Sequence, residues 1–139
     1  MDTRALFKIG YGLYVIGSKI DNKLNGCILN TVGQITSNPV RVTATINKSN
    51  FTHDIVAQTK LFTVSMLSQS TPFEVIKRFG FQSGRDTDKF VGFQFLTTSD
   101  GIPYLQSYCT AYLVCRVYES VDVGTHTVFF ADVEDANLL

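Results

Sequence analysis

Two short segments combine hydroxyls, amides and cations in spacings that suit an anion. Asn47, Lys48, Ser49, Asn50 and Thr52 stand where a strand-like run gives way to a helix-like run. A helix start presents backbone N–H groups and a partial positive charge, and the side-chain donors of Lys48, Ser49 and Thr52 add to both. The segment can cradle a phosphate, or it can serve only as a well-provided cap for its own helix. Ser83, Gly84 and Arg85, with Lys89 four residues further on, offer a flexible backbone, a hydroxyl, a guanidinium and an ammonium. Asp86 and Asp88 offset part of that charge, so this segment reads either as an anion site or as a solvated loop with internal ion pairs. Convergence of the two loops would separate these readings.

A neutral stripe follows Asn25. Asn30, Gln34 and Thr36 share one parity of a strand-like run, and such amides and hydroxyls beside apolar surface can hydrogen-bond the carbonyl and imide edge of a flat heterocycle. A water-facing strand side has the same pattern. His126 follows the turn at Gly124 into an apolar strand, where it can donate a hydrogen bond, stack on a ligand, supply a proton or pair locally. His53 falls within a helix-like run and reads as packing or surface. Other chemistry is missing. Gly10-Tyr11-Gly12 lacks the third glycine of a dinucleotide fingerprint, no Gly-x-Ser-x-Gly elbow occurs, and two histidines with three scattered cysteines do not make a zinc site.

The elements that must position these residues are mostly strands. Tyr108 to Tyr118 alternates strictly, with Cys109, Ala111, Leu113, Cys115 and Val117 on one face, and shorter alternating runs cover 14–20, 25–34, 40–46, 61–67 and 125–133. The Asp21-Asn22 and Asn25-Gly26 pairs mark a hairpin connection within 19–26. Two helices are expected. One is capped by Ser49 or Asn50 and runs to Lys60; the other starts at a Thr71 cap, with Pro72 at its first position and Glu74 completing a capping box, and stops at Gly80. A further turn is expected within 89–95. The strands are expected to close on themselves as a small antiparallel barrel with the helices outside.

Composition sets the limits. The chain has 139 residues, with 12 basic and 12 acidic side chains, and 45% of it is hydrophobic. That length predicts one domain spanning 1–139 with a full core. Neutrality argues against binding nucleic acid through bulk charge. The three cysteines form no Cys-x-x-Cys pair, and an odd count suits a reducing, cytoplasmic setting. No apolar run reaches the roughly 18 residues that would span a membrane.

Taken in order, the segments from Asn25-Gly26 to Asn30-Thr31, from Gln34 to Pro39, from Asn47 to Thr52, from Ser83 to Asp86 with Lys89-Phe90, and Gly124-Thr125-His126 resemble the flavin reductase family. More narrowly, they resemble its ferric reductase, flavoredoxin and high-molecular-weight rubredoxin branch. The resemblance implies an FMN-binding split β-barrel of Greek-key topology, mainly β with a few short flanking helices, forming a homodimer. It implies that Ser49, Asn50 and Thr52, with Ser83, Gly84, Arg85 or Lys89, hold the FMN phosphate. Asn30, Thr31 and Gln34 would then meet the flavin ring or ribityl chain, with Asn25, Asn47 and Lys48 among the cofactor-binding residues. His126 matches the histidine of the family's glycine-aspartate-histidine turn, although Thr125 stands in the aspartate's place. The implied activity is hydride transfer from NAD(P)H to FMN and onward to free flavin, ferric iron, oxygen or a rubredoxin-like protein. A non-catalytic FMN electron carrier is the alternative.

Overall fold

The computed structural model describes residues 1–139 and is built on one curled antiparallel sheet. Its strands are β1 (Tyr14–Ile20), β2 (Lys23–Leu29), β3 (Val32–Ser37), β4 (Val40–Asn47), β5 (Leu61–Leu67), β8 (Cys109–Asp122) and β9 (His126–Leu138), in the spatial order β2-β1-β5-β8-β9-β4-β3. β6 (Phe95–Thr97) and β7 (Pro103–Leu105) form a separate two-stranded ribbon. No helix is long and apolar enough to cross a membrane.

Alternation along β1 explains the layering. Ile16 points into the larger core, with Ala44, Ile46, Val56, Phe62, Val64 and Phe129, while Val15 points to the opposite face and packs with Val75, Phe79, Phe90 and Leu105. The ribbon lies close against the sheet. The Thr63 hydroxyl donates to the Pro103 carbonyl at 2.6 Å, and the Leu105 N–H donates to Ser65 Oγ at 3.0 Å. A Cβ on Gly17 would stand 2.0 Å from the Pro103 carbonyl oxygen, so only glycine allows this approach.

The sheet is not a closed barrel. β2 and β3 lie at its opposite edges, yet only Asn30 and Thr31 connect them. Three virtual bonds reach at most about 11 Å, so the sheet must coil until its edges nearly meet. Thr31 ties the crossing to β4: its hydroxyl donates to the Thr45 carbonyl at 2.7 Å, and the Thr45 N–H donates to the Thr31 carbonyl at 3.1 Å. No ladder joins β2 to β3, because the outer edge of β2 is covered from the other side. There the Lys89 ammonium donates to the Gly26 carbonyl at 2.7 Å and α2 (Phe73–Gly80) packs alongside. The alternating run expected over 25–34 is therefore two strands on two edges.

Both helices form where expected, with different local chemistry. α1 (Phe51–Thr59) is capped by Asn50, whose Oδ1 accepts the Thr52 N–H at 3.0 Å, and it ends at Lys60 in the left-handed region. α2 lacks the expected capping box. Pro72 occupies the cap position, and the Thr71 hydroxyl donates instead to the carbonyls of Ser68 and Tyr108, at 2.7 and 3.2 Å. The turn expected within 89–95 forms at 89–92, closed by the Phe93 N–H donating to the Phe90 carbonyl at 3.1 Å.

Candidate functional site

β4 ends at Asn47, in register with His126 at the start of β9. The chain then makes a tight turn into α1 that uses most of its own polar atoms. Asn47 Oδ1 accepts from both the Ser49 N–H, at 2.9 Å, and the Ser49 hydroxyl, at 2.8 Å. The Asn50 N–H donates to the Asn47 carbonyl at 3.0 Å, and the Lys48 N–H donates to Thr125 at 3.0 Å. The Lys48 ammonium pairs with Asp122 at 2.6 Å, which holds the Asp122 carboxyl below its usual range. This local economy is what a strong helix cap requires.

Beside that turn lies a cleft of about 360 Å³ at the seam where the chain crosses between sheet edges. Asn30, Thr31, Asn47, Asn50 and His126 supply its polar wall; Tyr11, Leu13, Ile28 and Leu29 supply the apolar one. The size and mixed lining fall within the range of small-molecule sites. Nδ1 of His126 lies 2.8 Å from the Thr125 hydroxyl.

The second loop reaches the same helix start. Arg85 donates to Asp54 Oδ2 at 2.5 Å and its guanidinium lies 4.8 Å from the centre of the Phe51 ring; the Lys23 ammonium lies 4.8 Å from the same ring. Two cations thus flank the first residue of α1, where the helix dipole is also positive. Within the 83–85 loop, the Arg85 N–H donates to Ser83 Oγ at 3.2 Å.

Lys89, Gln34, Asn25 and Thr52, all expected among the cofactor contacts, lie outside the cleft lining. Lys89 is 3% exposed, and its ammonium donates to the carbonyls of Gly26 and Phe79, at 2.7 and 3.1 Å, so it staples β2 to the end of α2. Burial pulls its pKa below the usual lysine value. Gln34 sits exposed on the β3 edge, away from the cleft, with its amide on the Thr36 carbonyl at 3.2 Å. Asn25 is buried beneath α1, where its Nδ2 donates to Thr52 Oγ1 at 2.8 Å, so Thr52 too is fully buried.

His53, expected to pack or face solvent, packs against Phe129 with ring centroids 5.4 Å apart and makes polar contacts as well. Its Nε2 lies 2.8 Å from the Thr127 hydroxyl and its Nδ1 lies 3.1 Å from Asp54 Oδ1, so a polar chain runs from Arg85 through Asp54 and His53 to the strand that carries His126. Arg85 chiefly, and then His53, hold the Asp54 carboxyl below its usual range. The register that sets Thr127 opposite Ile46 is tertiary, and no local spacing reports it. The cysteines are free, and burial pushes the Cys109 thiol up to about 11 and the Cys115 thiol up to about 12, which disfavours their thiolates. No group of three His, Cys, Asp or Glu side chains is placed to hold a metal ion.

The chain matches the flavin reductase like domain model over residues 6–139. It is 42% identical over its whole length to a high molecular weight rubredoxin of Moorella thermoacetica, of which it spans 61%. It is 40% identical over its whole length to a ferric-chelate reductase (NAD(P)H) of Archaeoglobus fulgidus, of which it spans 82%. Among solved structures, the flavin reductase PheA2 in its native state superposes with a TM-score of 0.84 at 26% identity, covering 100% of this chain and 89% of that one.

Proposed function

Because the chain belongs to the flavin reductase like domain family, we propose that it binds FMN in the seam cleft, with the ring against β2, β4 and β9 and the phosphate at the start of α1. The observation that carries this reading is the continuity of the cleft with the helix cap. Asn50 both lines the cleft and caps α1, and the next residue, Phe51, is flanked by Lys23 and Arg85. One wall thus offers amides and a hydroxyl to a heterocycle edge, the other offers apolar surface to its face, and the far end offers two cations to a single terminal phosphate.

A bound flavin would supply the redox chemistry, able to accept a hydride from a nicotinamide nucleotide and to pass electrons to an acceptor. The chain's own residues bind and orient. Thr31 fixes the crossing that shapes the cleft, Asn30 and Asn47 would hold the ring's polar edge, and Arg85 and Lys23 would neutralise the phosphate. His126 stands on the wall where the nicotinamide would approach, and Tyr11 and Leu13 add apolar surface to the cleft. The relatives' names favour a ferric chelate or a rubredoxin-type protein as acceptor. A second copy of this chain would cover the N-terminal arm, where Leu6 and Phe7 are 61% and 82% exposed.

Titrating the protein with FMN, followed by flavin fluorescence and visible absorbance, tests the binding; saturable one-to-one perturbation is expected, and an unperturbed spectrum would refute it. His126→Ala should slow reduction of the loaded protein by NAD(P)H about tenfold, the kinetic equivalent of one lost hydrogen bond, while FMN affinity changes little. An unchanged reduction rate would remove His126 from the reaction.

A further inference from the structure

Asn25 is 1% exposed, and its amide has unequal surroundings. Nδ2 donates to Thr52 Oγ1 at 2.8 Å, whereas Oδ1 is buried without a hydrogen-bond partner. Gly84 lies directly against it: a Cβ on Gly84 would stand 1.9 Å from Asn25 Oδ1, 2.6 Å from Cγ and 2.9 Å from Nδ2. Rotating the amide by half a turn exchanges its oxygen and nitrogen but leaves an atom in the same place. Gly84 is itself buried and does not have a left-handed backbone, so its lack of a side chain serves close approach rather than a special φ. Asn25 therefore touches two elements at once, the first turn of α1 through Thr52 and the 83–85 loop through Gly84.

We infer that Asn25 is a positioning residue, a buried post that sets the height of the 83–85 loop over α1 so that Arg85 and the helix start face one anion. This rests on the FMN reading for the identity of the anion, but the steric lock belongs to the chain alone. With no donor on Oδ1, the fit between Asn25 and Gly84 is one of shape. A methyl group at position 84 must lift the loop, and shortening residue 25 must let it settle again.

The test compares Gly84→Ala, Asn25→Ala/Gly84→Ala and Asn25→Ser/Gly84→Ala with the wild type. In flavin-free protein, brief trypsin treatment of Gly84→Ala should cut after Arg85 about tenfold faster, with cleavage after Lys60 unchanged as the internal control for global unfolding. At least one double variant should return to near the wild-type rate. FMN affinity should follow the same pattern, falling about tenfold and recovering, while riboflavin, which lacks the phosphate, binds all four proteins alike. Wild-type cleavage in Gly84→Ala, or no recovery in either double variant, would overturn the lock. Should the proteolysis follow this pattern while the wild type fails to bind FMN, the lock stands and the flavin reading falls.

Discussion

Lys89→Met should lower the stability of the protein by about 3 kcal/mol in urea unfolding, while the folded fraction keeps its affinity for FMN. Two carbonyls lie where secondary structure cannot satisfy them. β2 is an edge strand, so the Gly26 carbonyl has no strand beyond it, and Phe79 lies in the last turn of α2, where helical carbonyls lose their intrahelical donors. One buried ammonium serves both. Charge-assisted bonds of this kind contribute roughly 1.5–3 kcal/mol each, and losing them leaves two buried acceptors unpaired. Against this stands the desolvation of the ammonium, which removal relieves and which keeps the net effect near the lower end of that sum. The same loss of stability with a parallel loss of phosphate-dependent FMN affinity would return Lys89 to the cofactor site.

The second large effect concerns ligand binding rather than stability. Arg85→Ala should weaken FMN binding about 30-fold, the equivalent of one charge-assisted hydrogen bond of about 2 kcal/mol to phosphate, and leave riboflavin binding unchanged. Stability should hardly move. Arg85 and Asp54 are each about half exposed, and an ion pair of that kind contributes on the order of 0–1 kcal/mol. Measuring both ligands separates a phosphate contact from a general disturbance of the cleft. Equal losses for FMN and riboflavin would place Arg85 among residues that shape the cleft, and no loss for either would move the phosphate away from α1.

Local pattern carried much of the fold. β1 and β5 occupy 14–20 and 61–67 as their alternation implies, and the polar cluster at 47–50 does cap a helix that ends at Lys60. What alternation cannot report is which edge of the sheet a strand joins. The run from Asn25 to Gln34 keeps its parity on paper, yet the chain crosses from one edge to the other at Asn30-Thr31, and that crossing makes the cleft. The expected closed barrel does not form, because what covers the β2 edge is Lys89, sixty-three residues away from Gly26 in the chain.

The candidate site divides along the same line. Asn30, Thr31, Asn47, Asn50 and His126 come together, and the 83–85 loop reaches the start of α1 as an anion site would require. Lys89, Asn25 and Gln34 had the right residue type in the right segment, yet Lys89 and Asn25 are buried in hydrogen bonds within the fold and Gln34 lies on the β3 edge. A lysine near a glycine loop serves equally well as a buried staple or a phosphate ligand, and only burial distinguishes them. Lys23 and the polar partners of His53 were not legible for the converse reason, since those contacts form across strands or between helix and sheet.

The central claim is that this chain loads FMN and reduces it with a nicotinamide nucleotide. Anaerobic stopped-flow mixing of the FMN-loaded protein with NADH, and separately with NADPH, measures this most directly. At least one nucleotide should bleach the flavin's visible absorbance in a rapid phase that saturates with nucleotide concentration. A loaded protein that stays oxidised with both nucleotides, yet is reduced by a protein donor, would contradict that claim and leave an electron carrier in its place.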